Sequence, residues 1–132
     1  MAEITHSIAH PDGGGLDLTV GDGSTYGEVH IEDADGAEMT AMVGGRHLMN
    51  VAASMAAIAQ GLTLDEVDIP LYSGHVDYGT PSSGRMLLTP TDGACIVRLW
   101  GETDDGQGVA VEVELDSLAE FAAACSAGAH GL

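Results

Sequence analysis

The chain has 132 residues, 45% of them hydrophobic, and sets 21 Asp and Glu against three Arg and no Lys, for a formal net charge of −18. A chain of this size buries roughly two-thirds of the surface its unfolded form exposes, so this apolar content excludes wholesale disorder. Three cations neutralise few phosphates, so direct nucleic-acid binding is expected to be weak or absent, and the same charge repels an anionic membrane.

The opening residues, Met1 to His6, carry no basic-then-apolar leader, and no apolar run approaches the roughly 20 residues of a spanning helix. The expectation is a cytoplasmic protein in which Cys95 and Cys125 are reduced core residues. A first strand is expected over Glu3–Ala9, stopped by Pro11. Leu16, Leu18 and Val20 then alternate with polar residues, the period of a half-buried strand. Asp22-Gly23 supplies the turn into a strand at Tyr26–Glu32, and Asp35-Gly36 supplies the next one. Leu48, Val51, Ala52, Met55, Ile58, Ala59 and Leu62 follow helical spacing and form one apolar stripe.

The same order then recurs. Displaced by 70 residues, positions 11–62 lie on 81–132, with identities that include Pro11/Pro81, Leu18/Leu88, Asp22/Asp92, Gly23/Gly93, Gly36/Gly106, Val43/Val113, Leu48/Leu118 and Ala52/Ala122. Identity reaches roughly a third of positions, where chance in this composition gives about one in ten. The chain therefore reads as a tandem duplication. In the second copy a strand is expected over Ile69–Tyr78, ending before Pro81, then Met86 and Leu88 begin the next, followed by Cys95–Glu102. Val109, Val111, Val113 and Leu115 face one side of the last strand, with Ala110, Glu112 and Glu114 on the other. Leu118, Phe121, Ala122 and Cys125 repeat the helix stripe, and Ser117 with Glu120 has capping-box spacing. Thr63 to Glu66 has the same spacing and predicts a short helical turn between the copies.

The fold class is thus α+β: a duplicated four-strand-plus-helix unit, with antiparallel sheets and two helices on one face. It forms one domain over residues 1–132, with repeats 1–62 and 71–132 joined by 63–70.

Several segments resemble the DNA sliding clamps, the polymerase processivity rings. Arg46-His47-Leu48-Met49-Asn50-Val51-Ala52-Ala53 is similar to a clamp strand leading into an Arg-aromatic-Leu-Leu helix, and Asp65 to Leu71 to the strand after it. Ser82 to Gly93 with Ile96 to Trp100 resembles a clamp's closing hairpin, and Gly14 to Val20 an early strand. The resemblance implies a non-enzymatic, self-associating domain in DNA replication, either a processivity or a scaffold component. It also implies an apolar peptide-holding surface near the hairpin of Met86, Leu88, Val97, Leu99 and Trp100. The clamp order is circularly shifted here, and Ala52, Ala53, Ala56, Ala123 and Ala124 give the helices nothing to pair with phosphates.

The densest polar-aromatic cluster is Tyr72-Ser73-Gly74-His75-Val76-Asp77-Tyr78, from which Tyr72, His75 and Tyr78 join the candidate partner-binding residues. Ser73, His75 and Asp77 are too close in sequence to form a catalytic triad, and there is no nucleophile elbow. Asp33-Ala34-Asp35-Gly36 lacks the ligand spacing of a calcium loop and reads as a tight turn. No catalytic residue, metal ligand or cofactor is assigned. The alternative function is a small acidic interaction or inhibitor protein, in its sharpest form a phage-encoded DNA mimic, that binds a basic protein surface.

Overall fold

The computed structural model describes residues 4–9, 14–21, 26–71, 84–101 and 108–130. The first copy comprises β1 (Ile4–Ala9), β2 (Gly15–Val20), β3 (Tyr26–Glu32), β4 (Glu38–Gly44) and α1 (Gly45–Ala59). The second comprises β5 (Val67–Pro70), β6 (Gly84–Thr91), β7 (Ala94–Gly101), β8 (Val109–Glu114) and α2 (Leu115–His130). Each set of four strands forms an antiparallel meander, in order β1-β2-β3-β4 and β5-β6-β7-β8, and each sheet is followed by its helix. The duplicated α+β unit is present as read.

Alternation fixes which face of each sheet is buried. In the first sheet Leu16, Leu18, Val20, Val29, Ile31 and Val43 point inward; in the second, Met86, Leu88, Val97, Leu99, Val111 and Val113 do. The helix stripes complete the core with a displacement of 70 residues at every position. Leu48, Val51, Ala52, Met55 and Ile58 on α1 correspond to Leu118, Phe121, Ala122, Cys125 and Gly128 on α2. All these side chains but Gly128 belong to one continuous apolar cluster, which contains no charged or polar side chain among the described residues.

The helices pack against each other, and each also reaches the sheet of the other copy: α2 lies along β1 and β2, and α1 touches β5. The His6 ring on β1 meets Phe121 on α2 edge to face, with centroids 5.9 Å apart. Each copy's sheet thus uses the helix of the other to close its apolar face.

Five sequence expectations need correction. The repeat is not gapless: Leu18 pairs with Val29 in the first sheet, but Leu88 pairs with Val97 in the second, so β7 is displaced by 68 from β3. The β6–β7 turn is two residues tighter, with only Asp92 and Gly93 between Thr91 and Ala94. The opening strand of the second copy is Val67–Pro70, two residues earlier than the expected start at Ile69 and already ended at Leu71, while 72–78 of the expected Ile69–Tyr78 lie outside the described residues; as an edge strand it tolerates Pro70 at its end. Leu115 opens α2 instead of closing β8, which leaves Ser117 inside the first turn, past the capping position. Thr63–Glu66 forms no helical turn, because the Glu66 carboxylate accepts a hydrogen bond from the Thr89 hydroxyl instead of capping. Leu62 lies beyond the helix and is exposed, since α1 ends in a turn where Gly61 takes φ +74° and the Leu62 N–H bonds Ala57.

Candidate functional site

The same alternation that builds the core decides which residues a partner can reach. Met86, Leu88, Val97 and Leu99, expected on a peptide-holding surface, are wholly buried on the inner face of the second sheet. They are core residues, and the reason is parity: they share a face with the helix stripe. Trp100 is on the opposite, outer face and is only partly buried. Tyr72, His75 and Tyr78 lie outside the described residues.

Register surrounds Trp100, the one expected surface residue on this outer face, with residues that the sequence pattern does not single out. Arg85 stands opposite Trp100, Leu87 opposite Arg98, and Thr89 opposite Ile96. Arg98 in turn faces Ala110 on β8, and Ile96 faces Glu112. Arg98 therefore sits between Ile96 and Trp100 along its own strand, with Leu87 and Ala110 on either side. Arg85 forks onto Asp68 of β5, its Nε 3.0 Å from Oδ1 and its Nη2 2.8 Å from Oδ2, and this carboxylate raises the guanidinium further above its ordinary value. Gly108, at φ +60°, lets the entry to β8 close on Trp100; a Cβ there would stand 2.7 Å from the tryptophan's own Cβ.

The outer face of the first sheet carries opposite chemistry. Asp17 stands opposite His30, which stands opposite Thr40; Glu32 stands opposite Glu38. With Glu28 these make four carboxylates and an imidazole, and no Arg shares the face among its described residues. His30 is held at both ring nitrogens: Nδ1 is 2.7 Å from the Thr40 hydroxyl and Nε2 is 3.0 Å from a Glu38 carboxylate oxygen. The turn between β3 and β4 is rigidified by Asp33, whose carboxylate accepts hydrogen bonds from the Asp35 N–H (2.9 Å) and the Ala37 N–H (3.0 Å). Beside this cluster an open concavity of about 200 Å³ lies over Gly14 and Gly15, bounded by Ser7, Ile8, Asp17 and Glu32.

The two faces are related by the duplication. Inner positions keep their character between copies, as Leu18 and Leu88, Val29 and Val97, and Ile31 and Leu99 show. Outer positions do not. Asp17 is replaced by Leu87, Glu28 by Ile96, His30 by Arg98 and Glu32 by Trp100. The gapless displacement had matched Trp100 to His30; the two-residue slip of β7 assigns His30 to Arg98.

The remaining reactive groups are withdrawn from solvent. Burial pushes the thiols of Cys95 and Cys125 up to about 11 and about 12, so neither is a nucleophile near neutrality. On the helices the exposed positions include Arg46, Met49, Asn50 and Ala53 of α1 and Asp116, Glu120, Ala123 and Ala127 of α2. That surface offers a single arginine to phosphates. No helix among the described residues is long and apolar enough to cross a membrane. No protein-family model matches the chain, and no curated protein matches it in sequence.

Proposed function

We propose that this chain is a non-enzymatic protein-binding domain of clamp-like build, which holds an apolar segment of a protein partner on the outer face of its second sheet. One observation carries the reading: this face sets Trp100, Leu87 and Ile96 around Arg98, in a chain with three Lys and Arg in all, where the first sheet carries Glu32, Asp17 and Glu28 around His30. Trp and Arg set in an apolar centre with a polar rim are the residues that dominate binding energy at protein interfaces. Asp68, Glu66 and Glu112 supply the rim. A domain with two unlike sheet faces also suits head-to-tail association of copies, the geometry that closes a ring or runs on as a filament. In a ring of this kind the role would be a processivity or scaffold component of replication, acting through proteins and not through phosphate contacts.

The first sheet favours a second reading. Asp17, Glu28, Glu32 and Glu38 on one face suit a basic protein surface, and an inhibitor or DNA mimic would use them.

Selection of random displayed peptides on the wild-type chain, with Trp100→Ala and Arg98→Ala as counter-targets, separates the two. Trp100 is the only tryptophan, so its emission reports on this face alone. An apolar consensus whose synthetic peptide shifts that emission and fails to bind Trp100→Ala supports the first reading. Lys- and Arg-rich peptides that bind Trp100→Ala unchanged and lose affinity in Glu28→Gln support the second. No enrichment, with a monomeric mass by light scattering in both low and high salt, overturns both.

A further inference from the structure

We propose that His30, Glu32 and Glu38 form a binding site for a divalent transition-metal cation, with Zn²⁺ as the best-matched ion, on the outer face of the first sheet. One ligand atom from each residue lies within 4.8 Å of the other two. The donor set is an imidazole with two carboxylates, which suits Zn²⁺ better than the all-oxygen sites that Mg²⁺ and Ca²⁺ take.

Three further features point to a cation. First, Glu32 and Glu38 are direct cross-strand partners. Like charges placed opposite one another destabilise a sheet, and no Arg on this face among the described residues offsets them. Second, the imidazole is already oriented. The Thr40 hydroxyl at Nδ1 can donate or accept, so it serves both states of the ring. Without a cation, Nε2–H donates to Glu38 and Nδ1 accepts from Thr40. With the cation bound, Nδ1–H donates to Thr40 and Nε2 offers its lone pair, the outer-shell arrangement that metal-bound histidines use. Third, the concavity over Gly14 and Gly15 opens beside Glu32, with Asp17 and Ser7 on its rim, so water or a fourth protein oxygen can complete the coordination.

The backbone gives the site rigidity. Asp33 ties down the turn that joins Glu32 to Glu38, and a Cβ at Gly14, where φ is +86°, would collide with the Glu32 carbonyl oxygen, so only glycine permits this approach of the chain entering β2 to the end of β3. His30 Nε2 and Glu38 already lie 3.0 Å apart, close to the roughly 3.3 Å edge of a tetrahedral zinc site, and Glu38 is exposed and so able to adjust. The second copy has no equivalent: Arg98 and Trp100 stand where His30 and Glu32 do.

Calorimetric titration of the full chain with ZnCl₂ in a non-coordinating buffer tests this. The expected result is a saturable isotherm at one ion per chain, a melting temperature that rises with ZnCl₂, and no displacement by equal Mg²⁺ or Ca²⁺. His30→Ala removes the isotherm and the thermal shift together. Thr40→Val, which removes only the orienting hydroxyl, weakens binding by about tenfold. Glu120→Gln, on α2, leaves binding unchanged. All four substituted positions are at least partly exposed, and far-UV circular dichroism checks that each variant folds. Absence of a saturable isotherm overturns the proposal. So does one that His30→Ala and Glu38→Gln leave intact, or that Ca²⁺ displaces equally, since either marks diffuse binding to a carboxylate-rich surface.

Discussion

Gly128 on α2 lies so close to Val20 on β2 that a Cβ at position 128 would stand 2.9 Å from the valine's Cγ2. The same methyl lies 3.1 Å from where a Cβ at Gly27 would be, so Val20 fills the space that two glycines vacate. On α1 the corresponding position is Ile58, a large buried side chain. The helix of the second copy is thus fitted to the sheet of the first by a valine set into small residues.

Gly128→Ala therefore opposes two effects. Helix propensity favours alanine by about 1 kcal/mol, while overpacking a filled core costs about 1–3 kcal/mol. Val20 is β-branched and stiff at χ1, so the clash is not relieved by rotation and overpacking wins. Chemical denaturation should show Gly128→Ala less stable by about 1 kcal/mol. In a Val20→Ala background the same substitution should become neutral or stabilising. Equal effects in both backgrounds would show that α2 shifts away from β2 instead.

Much of this architecture is legible in the sequence, because both secondary-structure periods and the 70-residue displacement point the same way. Leu48 and Leu118, or Met55 and Cys125, take matching places on their helices because nothing is inserted between β4 and α1 or between β8 and α2. The slip of β7 leaves no trace in hydrophobic pattern. An even displacement keeps every side chain on its own face, so Val97 shares a face with Leu88 and Val111 under either alignment. What it alters is cross-strand partnership, and that is where Arg98 replaces Trp100 as the counterpart of His30. Of the hairpin residues only Trp100 lies on an outer face, and the pattern does not separate it from the other four for a related reason. Apolar residues at a hairpin suggest a binding surface and a core equally, and only the packing of α1 and α2 shows that Met86, Leu88, Val97 and Leu99 are enclosed. Register likewise brings His30, Glu32 and Glu38 together, since a turn of unmarked length separates them.

The buried thiols give stability an alkaline limit. In the unfolded chain each loses its proton near the ordinary value of 9.0, whereas burial holds Cys95 neutral to about 11 and Cys125 to about 12. Above about pH 9 the unfolded state therefore binds fewer protons than the folded one, and stability falls as pH rises. The slope is at most about 1.4 kcal/mol per pH unit for each thiol, and it ends once the folded thiols ionise too. Urea unfolding followed from pH 8 upward should show this decline, and the Cys95→Ala/Cys125→Ala variant should lose it. Parallel curves for the two proteins would refute the assignment.

Asp33 locks the β3–β4 turn through two hydrogen bonds from its own backbone neighbours. Asp33→Ala removes both and should cost about 1 kcal/mol, with faster amide exchange at Asp35 and Ala37. Asp33→Asn keeps the accepting oxygen and should retain most of the stability. Loss of equal size in both variants would mean that charge, not the hydrogen bonds, holds the turn.

His6 presents the opposite situation, a polar atom with nothing to bond among the described residues. Its Nε2 is shielded from solvent and has no hydrogen-bond partner among the described residues, while its ring packs edge-on against Phe121 and its backbone pairs in register with Leu18. Such an atom costs about 1–3 kcal/mol of desolvation, and an aromatic pair repays only about 0.5–1.5 kcal/mol. His6→Phe keeps the aromatic pair and removes the orphaned nitrogen, at the expense of slight overpacking between β1 and α2. The net expectation is a gain of about 1 kcal/mol, or a melting temperature higher by about 3–5 °C for a chain of this length. His6→Gln, which keeps a polar group in place without the ring, should be less stable than the wild type. If His6→Phe instead lowers the melting temperature, Nε2 has a partner in solution, and the junction between β1 and α2 is a polar contact rather than an apolar seam.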